Sequence, residues 1–336
     1  MEISSSKKFL LTHILIIVFI SAIGGGFFSI IAFGTSSYYI IQGVLIGVLI
    51  SACISMTNIF FFQKYRKKAR LIVSLLFENL TYAVIITAIP VIIGTIFKNE
   101  VILRFENIIF TVIFSFFLTF FFSSTMDLFR LLGPRTFKSF LTGKYYKPKE
   151  ENLIFMFLDI KNSTTLAEKI GNKKFLSFLS EFYIIISDPI LRFKGEIYKY
   201  IGDEIIITWD LQKSFGKSSC IECFFEIQKL IKKNKDFFQR EFGILPEFRA
   251  SLHSGLVSIG EMGFLKAEVA ILGDVVNTTA RIQEECKTHK KDLLISKDLL
   301  YKLDLPENFA TEDLGIISLR GKENKIQLFA LKQREK

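Results

Sequence analysis

The sequence predicts a chain in two parts, an α-helical membrane domain followed by an α+β domain of ferredoxin-like type. The first observation behind this is an uneven spread of apolar residues and charge along 336 residues that are 50% hydrophobic, with a mean hydropathy of +0.38. Residues 1–150 carry 15 Lys/Arg against 6 Asp/Glu, a balance of +9, whereas residues 151–336 carry 28 against 27, a balance of +1. The second is a set of long, almost uncharged stretches in the N-terminal half, and the third an alternation of strand-like and helix-like runs in the C-terminal half. The overall pI of 9.3 would point to nucleic acid if the soluble half carried the charge; it does not, and that class is excluded.

Four stretches, Phe9–Phe33, Tyr38–Phe62, Leu71–Phe97 and Asn107–Met126, each reach the length that crosses a hydrocarbon layer, about 20 helical residues for about 30 Å. The first is too long for a signal peptide, lacks a small-residue cleavage pattern and is followed by further spans. The connection Gln63–Arg70 (QKYRKKAR) has five Lys/Arg, and Arg130, Arg135, Lys138, Lys144, Lys147 and Lys149 follow the fourth stretch. Gly34–Ser37 has no charge, and Lys98–Glu106 balances two bases with two acids. The positive-inside rule then places both termini and the C-terminal half in the cytoplasm, with the chain a multi-pass protein of the inner (plasma) membrane. Glu78-Asn79 lies inside the third stretch, where an ionisable group either serves function or pairs with polar groups of a neighbouring helix. Gly24-Gly25-Gly26 suits close helix packing, and Pro90 a kink.

Residues 127–150 read as a linker, with a helix over Leu128–Leu132 broken at Gly133-Pro134 and a Lys/Pro-rich end, KYYKPKEEN. The folded domain, 151–336, opens with a buried strand at Leu153–Leu158. Thr165-x-x-Glu168 forms a capping box for a short helix ended by Gly171. Phe175, Phe178, Leu179, Phe182 and Ile186 follow at helical spacing. YKYIGDEIIITW (198–209) reads as a hairpin whose arms, Ile197–Ile201 and Ile205–Trp209, meet at Gly-Asp-Glu. An amphipathic helix over 218–241, a strand at Phe248–His253, a glycine-punctuated hairpin over 255–271, a helix from Asp274 and a last strand at Gln327–Leu331 complete the pattern. Helices between antiparallel strands make this an α+β sandwich rather than a doubly wound sheet. Cys53, Cys220, Cys223 and Cys286 give no disulfide framework in a cytoplasmic setting, and Cys220-x-x-Cys223 stands without a second pair or a nearby His.

The chemistry concentrates at two strand ends. The first strand ends FLDIKNST (157–164), so Asp159 precedes a helix N-terminus whose amides and dipole favour an anion. Alone, Asp159 reads equally as a helix cap and Asp203 as turn chemistry. Together, 44 residues apart and on neighbouring strands, they read as two carboxylates holding metal ions for in-line attack at phosphorus. In LGDVVNTTARIQEECK (272–287), Asn277 and Arg281 are four apart on one helix face. That face is either simply solvated or able to orient a sugar and steady charge on a phosphoryl group. Lys322, in LRGKENKIQLF, is a turn lysine before the last strand.

Taken together and in order, FLDIKNST, KYIGDE, GDVVNTTAR and LRGKE resemble the motifs of the class III nucleotidyl cyclases, over roughly 150–332. The resemblance implies that fold for the soluble domain, with Asp159 and Asp203 binding two Mg²⁺ (or Mn²⁺) ions and the Ile160 carbonyl as a further ligand. It implies that Asn277 orients the ribose, Arg281 stabilises the transition state and Lys322 holds the terminal phosphates. It also implies a homodimer with two composite sites, one protomer giving the metals and the other Lys199, Asn277, Arg281 and Lys322. Lys199 matches the lysine that accepts adenine, but the partner position falls on Ala270, whose side chain accepts nothing. The expected activity is conversion of ATP to 3′,5′-cyclic AMP and pyrophosphate at the lipid bilayer. The alternatives are a guanylate cyclase and a non-catalytic dimerising signalling domain. A diguanylate cyclase is set aside, because Ile201-Gly202-Asp203-Glu204 lacks the second glycine of a GGDEF turn.

Overall fold

The computed structural model describes residues 5–58, 71–98 and 139–334 apart from Lys266, with scattered positions between 100 and 137. The chain divides into two units, Met1–Leu132 and Gly133–Lys336.

The first unit contains α1 (Ser5–Phe33), α2 (Ser37–Thr57) and α3 (Leu71–Ile96). Two segments, Ser37–Thr57 and Leu76–Ile96, are long and apolar enough to cross a membrane; the apolar part of α1, Ile17–Ile31, is shorter. Four spans were expected. The structure supports two, and most of the fourth stretch, like the basic connection Gln63–Arg70, lies outside the described residues. Close packing of α1 on α2 has a visible cause. A Cβ on Gly25 would lie 2.1 Å from the Gly43 carbonyl oxygen, and one on Gly47 equally close to that of Ser21, whereas Gly24 faces open space. Glu78 and Asn79 are fully buried in α3, and Pro90 lies within the same helix.

The second unit is built on one mostly antiparallel sheet. Its elements are β1 (Lys149–Ile160), α4 (Ser163–Ile170), α5 (Asn172–Arg192), β2 (Glu196–Ile201), β3 (Glu204–Asp210), α6 (Leu211–Ser214), α7 (Ser219–Lys233), α8 (Lys235–Phe242), β4 (Phe248–Met262), β5 (Glu268–Leu272), α9 (Asp274–Thr288), β6 (Leu293–Ser296), α10 (Lys297–Leu300), β7 (Phe309–Ile317) and β8 (Ile326–Gln333). The strand order is β2-β3-β1-β4-β6-β8-β7, with β5 pairing β4 outside that path. Only β4 and β6 run parallel.

β1 sits centrally and is buried on both faces, which explains its unbroken apolar run. Ile154, Met156, Leu158 and Ile160 face a core with Phe178, Phe182 and Ile186 of α5 and Phe224 and Ile227 of α7. Leu153, Phe155 and Phe157 face the other way, against Val257, Ile259, Ile271 and Val275.

Several elements depart from their expected bounds. β1 begins at Lys149, and Tyr145 is only 2% exposed within the second core, so the Lys/Pro-rich segment is folded onto the domain rather than free as a linker. Lys144 reinforces it with an ion pair to Glu151 at 2.6 Å. The Thr165 capping box does not form. The helix starts at Ser163, after Asn162 turns the chain in the left-handed region (φ +55°), which puts Thr165 inside the first turn. The amphipathic helix over 218–241 is two helices, broken at Asn234, whose side-chain amide donates to the Leu230 carbonyl at 2.8 Å. The expected break after His253 is absent, because β4 runs on to Met262. Gly255 and Gly260 serve close approach rather than turning: a Cβ there would meet Val275 at 3.2 Å and Pro148 at 3.4 Å.

Candidate active site

The two-face pattern of β1 explains where Asp159 goes. It continues the Leu153-Phe155-Phe157 face to the strand end, with Glu204 of β3 on one side and Arg249 of β4 on the other as its cross-strand neighbours. The β2–β3 hairpin turns on Gly202, at φ +62°, a conformation glycine adopts without a side-chain clash. Tyr183 of α5 packs its ring against Tyr200 and donates its hydroxyl to the Gly202 carbonyl at 3.4 Å, bracing the turn. The turn brings the Asp203 carboxyl beside that of Asp159.

Arg249 Nη2 donates to Asp159 Oδ2 at 2.8 Å, while its buried Nε has no hydrogen-bond acceptor among the described residues. Burial, and then the Asp203 carboxyl, push Asp159 up to about 6, against the opposing pull of Arg249. Glu204 is pushed up to about 7 by burial and by the charges of Asp159 and Asp203. Three acids therefore crowd one strand end with one guanidinium beside them. Among the described residues no three His, Cys, Asp or Glu side chains are arranged to hold a metal ion together; Asp159 and Asp203 are two carboxyls that lie side by side. They suit a hard divalent cation, being oxygen donors whose negative charge is relieved by it. Ile160 has its side chain in the core, so it contributes only through its backbone.

The remaining expected residues gather elsewhere in the same unit. Asn277 and Arg281 lie one turn apart on α9, with Asn277 exposed. Arg281 is paired with Glu284. Lys322, in the β7–β8 connection, donates to Asp274, the first residue of α9, and Thr278 donates to the same carboxylate at 3.2 Å. Lys199 of β2 pairs with Glu268 of β5 at 3.3 Å, and Ala270 lies two residues along β5, opposite Gly260. No hydrogen bond or ion pair among the described residues joins the carboxylate group to Asn277, Arg281 or Lys322. The helix that carries Asn277 and Arg281 nonetheless packs beside this strand end, where Gln283 donates to the Arg249 carbonyl at 3.0 Å. A cleft of about 410 Å³ between α5 and β2, lined by Leu176, Tyr183, Ile184 and Tyr200, lies beside the hairpin turn and includes none of the charged residues.

Sequence reasoning missed Arg249, Glu204, Glu268 and Asp274. Arg249 carried a signal, since a charge inside an apolar strand needs a buried counter-charge. Glu268 and Asp274 carried none, because their partners Lys199 and Lys322 are distant in sequence. The buried Cys220 and Cys223 are free thiols, Cys220 pushed up to about 12 by burial, which fits packing rather than redox chemistry.

Residues 145–333 match the family model described as the adenylate and guanylate cyclase catalytic domain. The chain is 38% identical over 201 residues to adenylate cyclase 2 of Rhizobium meliloti, covering 60% of this chain and 55% of that one. It is 25% identical over 221 residues to an adenylate cyclase of Anabaena cylindrica, covering 62% and 43%. The chain therefore spans about half the length of these curated relatives. Among solved structures, a bacterial light-regulated adenylyl cyclase shares the fold at a TM-score of 0.56 and 20% identity, with 66% of this chain and 65% of that one covered.

Proposed function

The chain belongs to the adenylate and guanylate cyclase family, and on that premise we propose that it is a membrane-bound adenylate cyclase, forming 3′,5′-cyclic AMP and pyrophosphate from ATP. The observation that carries this is the meeting of Asp159 and Asp203 at the end of β1, two carboxylates held together against their mutual repulsion. The names of these two relatives, both adenylate cyclases, support ATP rather than GTP as the substrate here.

Asp159 and Asp203, with the Ile160 carbonyl, would hold two Mg²⁺ or Mn²⁺ ions, which supply an activated 3′-hydroxyl and neutralise the triphosphate. Asn277 orients the ribose so that its 3′-oxygen lies in line with the α-phosphorus. As that oxygen attacks, its proton passing to water or to a phosphate oxygen, and pyrophosphate departs, Arg281 donates to the phosphoryl oxygens where charge builds. Lys322 leaves Asp274 for the terminal phosphates, a better acceptor because it bears more charge. Lys199 donates to the adenine ring.

The active form is a homodimer, each site taking carboxylates from one protomer and the α9 face from the other. That no hydrogen bond or ion pair among the described residues joins the carboxylates to Asn277, Arg281 or Lys322 within one chain supports this, as do Phe264 and Leu265 at the β4–β5 connection, both 99% exposed. Residues 1–126 form the membrane anchor, with four spans and cytoplasmic termini, 127–150 couples it to the catalytic domain, and 151–336 carries the catalysis.

The test is product identification. Detergent-solubilised protein, wild type beside Asp203→Ala, is given equimolar ATP and GTP with Mn²⁺ or Mg²⁺, and products are read by mass spectrometry. Cyclic AMP from wild type alone is expected. Predominant cyclic GMP would replace the substrate assignment, and no cyclic nucleotide from a verified dimer would put the non-catalytic reading first.

A further inference from the structure

The surroundings of Lys199 bear on how the base is read. We propose that Glu268 supplies the hydrogen-bond acceptor for the purine 6-amino group beside Lys199, in place of the residue at position 270; this rests on the adenylate cyclase reading above.

The pair is built rather than incidental. Between Ile197 and Lys199 the β2–β3 register shifts, so Tyr198 is an extra residue in β2. Its hydroxyl accepts a hydrogen bond from the Ile271 N–H at 3.0 Å, tying the bulge to β5. That tie brings Lys199 Nζ to 3.3 Å from Glu268 Oε2. The two side chains are 50% and 44% exposed, and a pair so open to solvent contributes little to folding. It does present an ammonium, which only donates, beside a carboxylate, which only accepts.

Adenine needs that arrangement on one edge, with N1 accepting and the adjacent 6-amino group donating. Guanine offers the reverse, an N1–H donor and an O6 acceptor, so the same placement sets each of its groups against one of like kind. Ala270 and Glu268 alternate onto the same face of β5. The methyl of Ala270 offers no acceptor, and the longer Glu268 side chain, two residues earlier, supplies one.

The experiment is a cycle between protein and substrate on the full-length protein. ATP is compared with purine riboside 5′-triphosphate, which lacks only the 6-amino group, on wild type, Glu268→Ala and Glu268→Gln. Both kcat/KM and equilibrium binding are measured. For wild type, losing the amino group should cost roughly tenfold to a hundredfold, as a hydrogen bond to a charged acceptor does. In Glu268→Ala the two substrates should become equivalent, and Glu268→Gln, which keeps an acceptor oxygen but not its charge, should restore a smaller difference of roughly twofold to tenfold. An equal loss on both substrates in Glu268→Ala would overturn the assignment. If wild type binds both triphosphates but turns over neither, the cyclase reading fails, while the binding ratio still decides Glu268.

Discussion

The Arg249 guanidinium reaches 2.8 Å across the sheet to the Asp159 carboxylate, beside which the Asp203 carboxyl also lies. With side chains 10% and 20% exposed, this ion pair sits largely out of water, and its loss leaves a buried charge without compensation. Arg249→Met, close in volume, should destabilise the metal-free protein by about 3 kcal/mol. Mn²⁺ should return part of that by replacing the missing positive charge. Thermal unfolding with and without Mn²⁺ checks it; an unchanged metal-free midpoint would contradict the role given to Arg249.

The acid group sets a pH dependence whose sign is opposite to that of ordinary salt-bridged carboxylates. Asp159 titrates near 6 and Glu204 near 7 in the fold, both above their usual values because of burial and neighbouring acids. The folded state therefore holds these protons more tightly than the unfolded chain. Their contribution is full below the unfolded values, about 4, and is lost as pH rises through 6 and 7. The melting temperature of the metal-free protein should fall across that window, while Mn²⁺ affinity, which requires ionised carboxylates, should rise. A shift on adding Mn²⁺ that is as large at pH 5 as at pH 8 would contradict this.

Lys322 and Asp274 form an ion pair, which the proposed role of Lys322 at the terminal phosphates requires substrate to displace. Asp274 is 81% exposed, so the pair is worth at most about 1 kcal/mol. Asp274→Asn should therefore lower the KM for ATP by less than about fivefold. Lys322→Ala, which removes the charged contact proposed for the triphosphate, should raise KM by about tenfold or more. Steady-state kinetics on both variants separate the effects, and a KM raised by Asp274→Asn would show that Asp274 helps rather than competes.

What could be read from the sequence was local. Leu153–Leu158 announced a buried strand by its unbroken apolar run, Gly202-Asp203 announced a hairpin, and the spacing of Phe178, Phe182 and Ile186 announced a core helix. Each signal lies within a few residues of what it specifies. The carboxylate pair was legible because Asp159 lies at the end of a strand and Asp203 in a hairpin turn. What stayed hidden depends on contacts between distant segments. Gly255 looked like punctuation until Val275 was found packed against it, and Lys199 lacked a partner until the Tyr198 bulge brought Glu268 beside it. Asn162 displaced the expected cap because a left-handed turn after β1 starts the helix two residues before Thr165.

The central claim is that one chain carries two half-sites that work only together with those of a second copy. Its most direct test joins two variants, each expected to be inactive alone: Asp203→Ala, which removes a carboxylate, and Arg281→Ala, which removes the guanidinium proposed to stabilise the transition state. Differently tagged and co-expressed, they are purified as a mixed dimer by two affinity steps. In a symmetric dimer the mixed species has one intact composite site of two and should show about half the wild-type turnover. A mixed dimer as inactive as either parent would place both groups in a site formed within one chain, contradicting the account.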